Sequence, residues 1–243
     1  MTISTAIRKP RGAPLSRDRV LRAAVRLADR EGIDAVSMRK LGQMLSVDPM
    51  SLYNHVSNKD DLLDGMVDRI VGEIDPAAEG VDWKTAIRMR ILSARAMLLR
   101  HPWASAVIGT RKTMTPTIMA YMDSTAGILR RGGFSVDLTH HAFHILGSRV
   151  LGFAQELYDE SAALEESPEV VAMMMEQMSA QYPYMSEVAR EVSHQEEVVG
   201  AGCDDQLEFE FALDLILDGL DRLRSQSSEW DRPLDASFEA WGS

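Results

Sequence analysis

Cysteine is almost absent from this sequence: Cys203 is the only one in 243 residues. A lone thiol excludes an internal disulfide framework and fits a reducing compartment. No apolar run approaches the ~18 residues that a membrane span requires. The N-terminal stretch "MTISTAIRKPRGAPLSRDR" is basic but lacks the apolar core of a secretory leader. A cytoplasmic protein without a membrane partner is expected. Strand-like alternation of useful length is missing too, as is any internal repeat. No nucleophile motif, phosphate-cradling glycine loop or convincing metal set is present. An all-α enzyme therefore ranks last among the functional readings, and no cofactor is expected.

What is present is an ordinary globular balance, 45% apolar and 26% charged, in a chain long enough for one large domain or a small one plus a medium one. The net charge of −11 conceals an asymmetry. Residues 1–59 hold 11 Lys/Arg against 5 Asp/Glu, whereas residues 60–243 hold 15 against 32. Two readings are open: the basic end meets a polyanion, or it is a solvated basic face without a partner.

The periodicity is helical nearly throughout. Val20, Ala24, Leu27 and Ala28 share one face of a helix between Ser16 and Gly32. Ser37 caps a short helix from Met38 to Leu45. Asp48 caps another of about eight residues, with Pro49 in its first turn, where a missing N–H costs nothing. Asn58 with Asp61 forms a variant capping box for a helix reaching about Ile74. "DPAAEG" then breaks the pattern, which places a domain boundary between residues 75 and 76. Further helices are predicted from Trp83 to about Arg100, from Thr115-Pro116 to "RRGG", from Ser135 to about Ala163, from Ser167-Pro168 to "YPY", and from Asp204 to about Arg224. The fold class is all-α: residues 1–75 as a helix-turn-helix domain and 76–243 as a larger helical domain.

The stretch "MRKLGQMLSVDPMSLYNHVSNKDDLL" carries the functional signal. Two short helices joined by a turn make a helix-turn-helix candidate, with Leu41, Leu45, Val47, Leu52 and Val56 as its seam. Gly42 has no side chain to hold the helices apart. The second helix is too short to be stable alone, so packing must hold one face and leave the other free. A helix is the right width for a DNA major groove. The competing reading is a pair of packed helices with an exposed polar face.

"VDPMSLYNHVSNKDDLL", with "AAVRLADREGIDAVSMRKLGQML" upstream, resembles the TetR family of transcriptional repressors over about residues 16–70. The matching residues are Val47, Asp48, Ser51, Leu52, Tyr53, Asn54, His55, Val56, Asn58, Lys59, Leu62 and Leu63. The resemblance implies a DNA-binding surface of Arg39, Pro49, Met50, Ser51, Tyr53, Asn54, His55 and Lys59. Tyr53 and Lys59 look like phosphate contacts, which position a protein without reading sequence. Ser51, Asn54 and Arg39 can reach base edges, Arg39 being suited to a guanine, and Met50 can touch a thymine methyl. His55 is either a backbone contact or a ring packed on the fourth helix. The basic arm with Arg8, Lys9 and Arg11 either enters a minor groove or is a disordered tail.

The remainder is similar to the C-terminal domain of the tetracycline-repressor type, through "AMLLRHPWASAVIGTR", "GILRRGGFS", "LGFAQELYDE" and the apolar last helix. This implies a homodimer through the helices near 135–163 and 204–224, suited to a palindromic operator. Phe209, Ala212, Ile216, Leu220 and Leu223 lie on one face of the last helix and are the expected dimer interface. The resemblance also sets Val107 where that type has a metal-ligating His, while Thr110 and Glu156 match its second-sphere Thr and Glu. Its drug-contacting His, Asn and Phe match Asp75, Arg90 and Ala94. The expected ligand region therefore comprises Asp75, Arg90, Trp103, Val107, Thr110, Met119, Phe143, Phe153 and Glu156. Arg90 and Asp75 suit a polar or charged group, unless they pair with each other. For Trp103, Met119, Phe143 and Phe153, ordinary core is the competing reading.

The His140/His144 pair with His141 beside it has metal-compatible spacing but no evident third ligand, so no metal is expected. "MMMEQM" at 173–178 reads as a helix face, or as an adaptable pocket edge. The reading drawn is a repressor released from its operator by a small organic ligand. The alternative is a regulator of the same fold without such a ligand, controlled by a protein partner.

Overall fold

The computed structural model describes residues 14–111, 114–152, 173, 179–187 and 205–226. The principal elements are α1 (Arg17–Glu31), a 3-10 turn at Ile33–Ala35, α2 (Met38–Leu45), α3 (Pro49–Leu52), α4 (Lys59–Val71), α5 (Trp83–Arg100), α6 (Ala104–Thr110), α7 (Pro116–Arg131), α8 (Val136–Gly152) and α9 (Asp205–Ser225). No strand occurs among the described residues, as the all-α expectation requires.

Local chemistry sets the helix starts. Ser16, Ser37, Asp48, Asn58, Asp82 and Thr115 each accept a hydrogen bond from a first-turn backbone N–H through the side chain. Such a cap contributes about 1 kcal/mol relative to alanine. Asn58 Oδ1 accepts from Asp61 N at 2.8 Å. The return bond of the capping box differs from the sequence expectation. Asp61 Oδ2 accepts from the N–H of Ser57 at 2.7 Å, not from that of Asn58.

Two compact units are present, residues 1–139 and 140–243. In the first, α1 packs on α2 and α4, α2 on α3, and α4 also on α5, α6 and α7. One buried cluster runs from Val20, Leu27, Leu41 and Leu52 through Met66 and Ile70 to Met97, Trp103, Ala104 and Val107. The helix-turn-helix segment thus shares its core with α5 and α6, although the sequence breaks at "DPAAEG". Gly42 does what its position suggested: a Cβ there would lie 3.0 Å from Pro49 Cγ and from the Val47 carbonyl oxygen.

In the second unit, α8 contributes buried Ala142 and Leu146, and α9 contributes buried Phe209, Leu213, Leu217 and Leu220. Arg149 of α8 donates to the Glu208 carbonyl at 3.0 Å, and its guanidinium lies 5.0 Å from the Phe209 ring centroid.

Candidate nucleic-acid interface and ligand region

The reading element is shorter than the sequence pattern suggests. α3 is α-helical for four residues only, Pro49–Leu52. Beyond it the chain continues in tight turns: Tyr53 N donates to Met50 O, and His55 N and Val56 N donate to Leu52 O. The entry is fixed by Asp48, whose Oδ1 accepts from Met50 N at 2.7 Å. Leu52 and Val56 are buried and anchor one face. On the other face Met50 is 71% and Tyr53 46% exposed, and Asn54 is exposed beside them. Ser51 is half-buried and its hydroxyl donates to the Asp48 carbonyl at 2.6 Å, so towards a base it offers an acceptor. Pro49 and His55 are half-buried, and Arg39 and Lys59 are exposed.

Charge pairing separates these cations from their neighbours. Arg17, Arg22, Arg30, Lys40 and Arg69 are each tied to an acid, at 2.5–2.8 Å. Arg39 and Lys59 hold no ion pair among the described residues. They therefore present full, unneutralised charge, which is what a phosphate or a guanine edge requires. Gln43 is also exposed and lies four residues after Arg39, hence on the same face of α2. The sequence reading passed over it, although that spacing was visible. Arg8, Lys9 and Arg11 lie outside the described residues.

Of the expected ligand region, Asp75 and Arg90 are brought together, but not as an ion pair. Arg90 Nη1 donates to the backbone carbonyl of Asp75 at 3.1 Å. The Asp75 carboxylate instead accepts from the Ser93 hydroxyl at 2.9 Å. Arg90 is 5% exposed. Its other bonds go to Thr125 Oγ1 (2.8 Å), Tyr121 O (3.2 Å) and Ser124 Oγ (2.6 Å), and its guanidinium stacks 4.3 Å over the Tyr121 ring. Every acceptor is neutral. Burial lowers the pKa of Arg90 from its ordinary value, and the nearby Tyr121 opposes that shift. Burial likewise raises the pKa of the Tyr121 phenol, against the opposing Arg90 charge.

The α6 residues lie elsewhere in the same unit. Trp103 and Val107 are buried in the cluster shared with α1 and α4, which is the core reading of Trp103. Thr110 is exposed and its hydroxyl donates to the Val107 carbonyl at 2.8 Å. Met119 is 51% exposed and Phe143 is half-buried. Phe153, Glu156 and most of "MMMEQM" lie outside the described residues. Two open grooves, of about 700 and 640 Å³, lie at the 77–83 linker and between α1 and α4, and neither contains Arg90, Trp103 or Val107. Among the described residues no group of three or more His, Cys, Asp or Glu side chains could hold a metal ion. None of the described helices is long and apolar enough to cross a membrane.

The expected dimer-interface residues divide. Phe209 and Leu220 are buried, while Ala212, Ile216 and Leu223 are half-buried. The exposed apolar row on α9 is Leu207, Phe211 and Leu215, at 65%, 61% and 56%.

The family model "Bacterial regulatory proteins, tetR family" matches residues 20–66, and "Tetracyclin repressor-like, C-terminal domain" matches residues 75–224. The chain belongs to the TetR family of DNA-binding transcriptional regulators. TetR-family relatives agree. The chain is 31% identical over 233 residues to the transcriptional repressor DrrR1 of Streptomyces coeruleorubidus, covering 90% of this chain and 83% of that one. It is 40% identical over 121 residues to a helix-turn-helix transcriptional regulator of Saccharopolyspora erythraea, a match covering 49% of this chain and about half (51%) of that relative. Among solved structures it is similar to free ActR of Streptomyces coelicolor, with TM-score 0.70 and 26% identity over 89% of this chain and all (100%) of that one. ActR in complex with actinorhodin matches with TM-score 0.66 and 28% identity over 86% of this chain and 96% of that one. These TetR-family proteins are regulators, not enzymes.

Proposed function

We propose that this chain is a homodimeric repressor that leaves a palindromic operator when a small organic molecule enters its helical domain. The carrying observation for DNA recognition is the reading surface itself: exposed Arg39 and Lys59, without an ion pair among the described residues, flanking exposed Met50, Tyr53 and Asn54 on a capped α3. Tyr53 and Lys59 hold phosphates, and Arg39, Ser51 and Asn54 face base edges. A second copy covers Leu207, Phe211 and Leu215 together with Ala212, Ile216 and Leu223, as an apolar helix face of this size requires. The two-fold axis then matches half-sites about one helical turn apart.

Arg90 supports the ligand reading and narrows it. A buried cation whose acceptors are all neutral is electrostatically incomplete. An effector with an apolar body and an acidic or strongly accepting group would complete it. That ActR is solved with actinorhodin supports an organic effector. Val107 cannot ligate a metal, so magnesium is not needed and tetracycline does not act. Release follows from α4, which contacts α5, α6 and α7 and begins at Lys59. A displacement of α4 changes the spacing of the two reading elements, whereas the half-sites are fixed on the DNA. A hundredfold preference for the displaced form corresponds to about 2.7 kcal/mol.

The test is release of an operator duplex, selected by the protein from a randomised pool. Apolar acids and their amides are compared, alongside tetracycline with magnesium and with chelator. Release by acids in preference to amides supports the reading. Release by tetracycline that chelator abolishes would overturn the role given to Val107.

A further inference from the structure

Arg17 opens α1 and is distant in sequence from Tyr53, Asn54 and Lys59, yet its guanidinium reaches both sides of the loop that ends the reading element. Nη1 donates to the His55 carbonyl at 2.9 Å and lies 3.1 Å from Asp61 Oδ2. Nη2 lies 2.5 Å from Asp61 Oδ1 and 3.4 Å from the Asp61 carbonyl. The same Asp61 carboxylate accepts from Ser57 N. One guanidinium and one carboxylate therefore fix both the last carbonyl of the turn after α3 and the first turn of α4.

We propose that Arg17 is a positioning residue for DNA recognition, fixing the exit of the reading element so that Tyr53 and Asn54 are presented in one register, without itself contacting DNA. The inference rests on the DNA-reading surface described above. A four-residue helix has no stability of its own, so its orientation is set by whatever holds its ends. Asp48 holds the entry and Arg17 holds the exit. The planar fork of arginine binds a carboxylate at two points while keeping a further N–H for the carbonyl, and a lysine ammonium cannot fix that geometry. Gly65 of α4 leaves room for Leu21 and for the fork beside it: a Cβ there would lie 2.7 Å from Leu21 Cδ2 and 3.1 Å from Arg17 Nη2. A phosphate role for Arg17 is disfavoured because Asp61 already neutralises it, in contrast to Arg39 and Lys59.

The experiment compares wild type with Arg17→Lys, Arg17→Gln, Asp61→Asn and the Arg17→Gln/Asp61→Asn double variant. Binding is measured to the duplex selected by wild type and to random-sequence duplex, each across a salt series. Positioning predicts at least about tenfold weaker binding to the selected duplex for each single variant. Binding to random duplex and the log–log salt slope should stay unchanged for Arg17→Lys and for the double variant, which keep the net charge, and the double variant should lose no more than either single one. A slope smaller in magnitude by about 1 for the double variant would make Arg17 a phosphate contact and overturn the proposal. Unchanged selectivity or additive losses would also overturn it. If circular dichroism shows Arg17→Gln unfolded, Arg17→Lys, which keeps the charge but not the fork, decides on the same readouts. Failure of the wild type to enrich any duplex would count against the DNA-reading surface, a result distinct from any behaviour of the variants.

Discussion

Nδ1 of His101 lies 2.7 Å from Oδ1 of Asp29, joining the corner after α5 to the end of α1. The same oxygen accepts from Trp103 Nε1 at 2.7 Å, and His101 Nε2 lies 3.2 Å from Glu73 Oε2 beyond the end of α4. His101 and Trp103 are buried, at 6% exposure each. Their ring groups therefore depend on these acids for their hydrogen bonds. Asp29→Ala should lower unfolding free energy by about 1–3 kcal/mol, the cost of stranding buried polar groups. Trp103→Phe, which removes one donor and leaves the acid paired with His101, should cost less. Urea unfolding followed by far-ultraviolet circular dichroism measures both, and an Asp29→Ala midpoint equal to wild type would refute the role of this joint.

Asp61 gives the reading domain an acid-sensitive contact. The Arg17 hydrogen bonds, then the Ser57 N–H, lower its pKa to about 2 from an ordinary 3.8. A depressed carboxyl contributes stability that is complete above the unfolded value and fades as pH falls towards the folded one. The contribution should thus be constant above about pH 5 and disappear between about pH 4 and 2. Arg17 is 45% exposed at its side chain, so solvent screening makes the contribution small. Carboxyl titration by NMR should find Asp61 near 2 in wild type and back in the ordinary range in Arg17→Gln. An Asp61 carboxyl titrating in the ordinary range in wild type would contradict the pairing.

Lys59→Ala should weaken binding to all duplexes alike and reduce the magnitude of the log–log salt slope by about 1. Arg39→Ala, Ser51→Ala and Asn54→Ala should relax preference at single base pairs, each by roughly 1–3 kcal/mol. Salt titrations with selected and single-base-substituted duplexes separate the two classes. A wild-type slope in Lys59→Ala would remove that residue from the phosphate contacts.

Burial on α9 sharpens the dimer test. Leu220 is 2% exposed, so Leu220→Arg should unfold the helical domain, whereas Leu215→Arg should leave a folded protein unable to pair. Sedimentation combined with circular dichroism distinguishes these outcomes. A folded, dimeric Leu215→Arg protein would place the interface elsewhere.

Ser46, between α2 and α3, has φ 57° and ψ 45°, the left-handed region that side chains other than glycine's and asparagine's avoid. Ser46→Gly should therefore stabilise the chain by up to about 1 kcal/mol. Thermal unfolding reads the sign, and a lower transition temperature would show that the hydroxyl is needed there.

The starts of α2, α3 and α7 were legible because each is written locally, in a cap residue and the apolar period that follows, whereas α6, whose N-cap Trp103 makes no side-chain cap bond, was not foreseen. Ser37, Asp48 and Thr115 needed nothing from the rest of the chain. The Arg17–Asp61 fork was not legible, because it joins residues 44 positions apart and nothing in either neighbourhood requires the other. The length of α3 was overread because its last turn keeps helix-like hydrogen bonds without helical regularity. α9 was ambiguous for a different reason. It is apolar over most of its circumference, and periodicity cannot tell which apolar side faces its own unit. Phe209 and Leu220 face inward, and Leu207, Phe211 and Leu215 do not. Whether Arg90 and Asp75 pair with each other was open in the sequence, because it depended on Ser93, which takes the Asp75 carboxylate.

The brevity of α3 bears on how such a protein acquires new targets. Its orientation is held from outside by Asp48, Leu52, Val56 and Arg17. Met50, Tyr53 and Asn54 contribute almost nothing to the packed interior. These three positions can be exchanged with little effect on folding, because surface substitutions seldom move stability by more than about 0.5 kcal/mol. The addressing positions are thus modular. A library confined to the base-facing Met50 and Asn54 should yield mostly folded variants of altered sequence preference, so that lineages of this chain could drift between promoters without passing through an unstable ancestor.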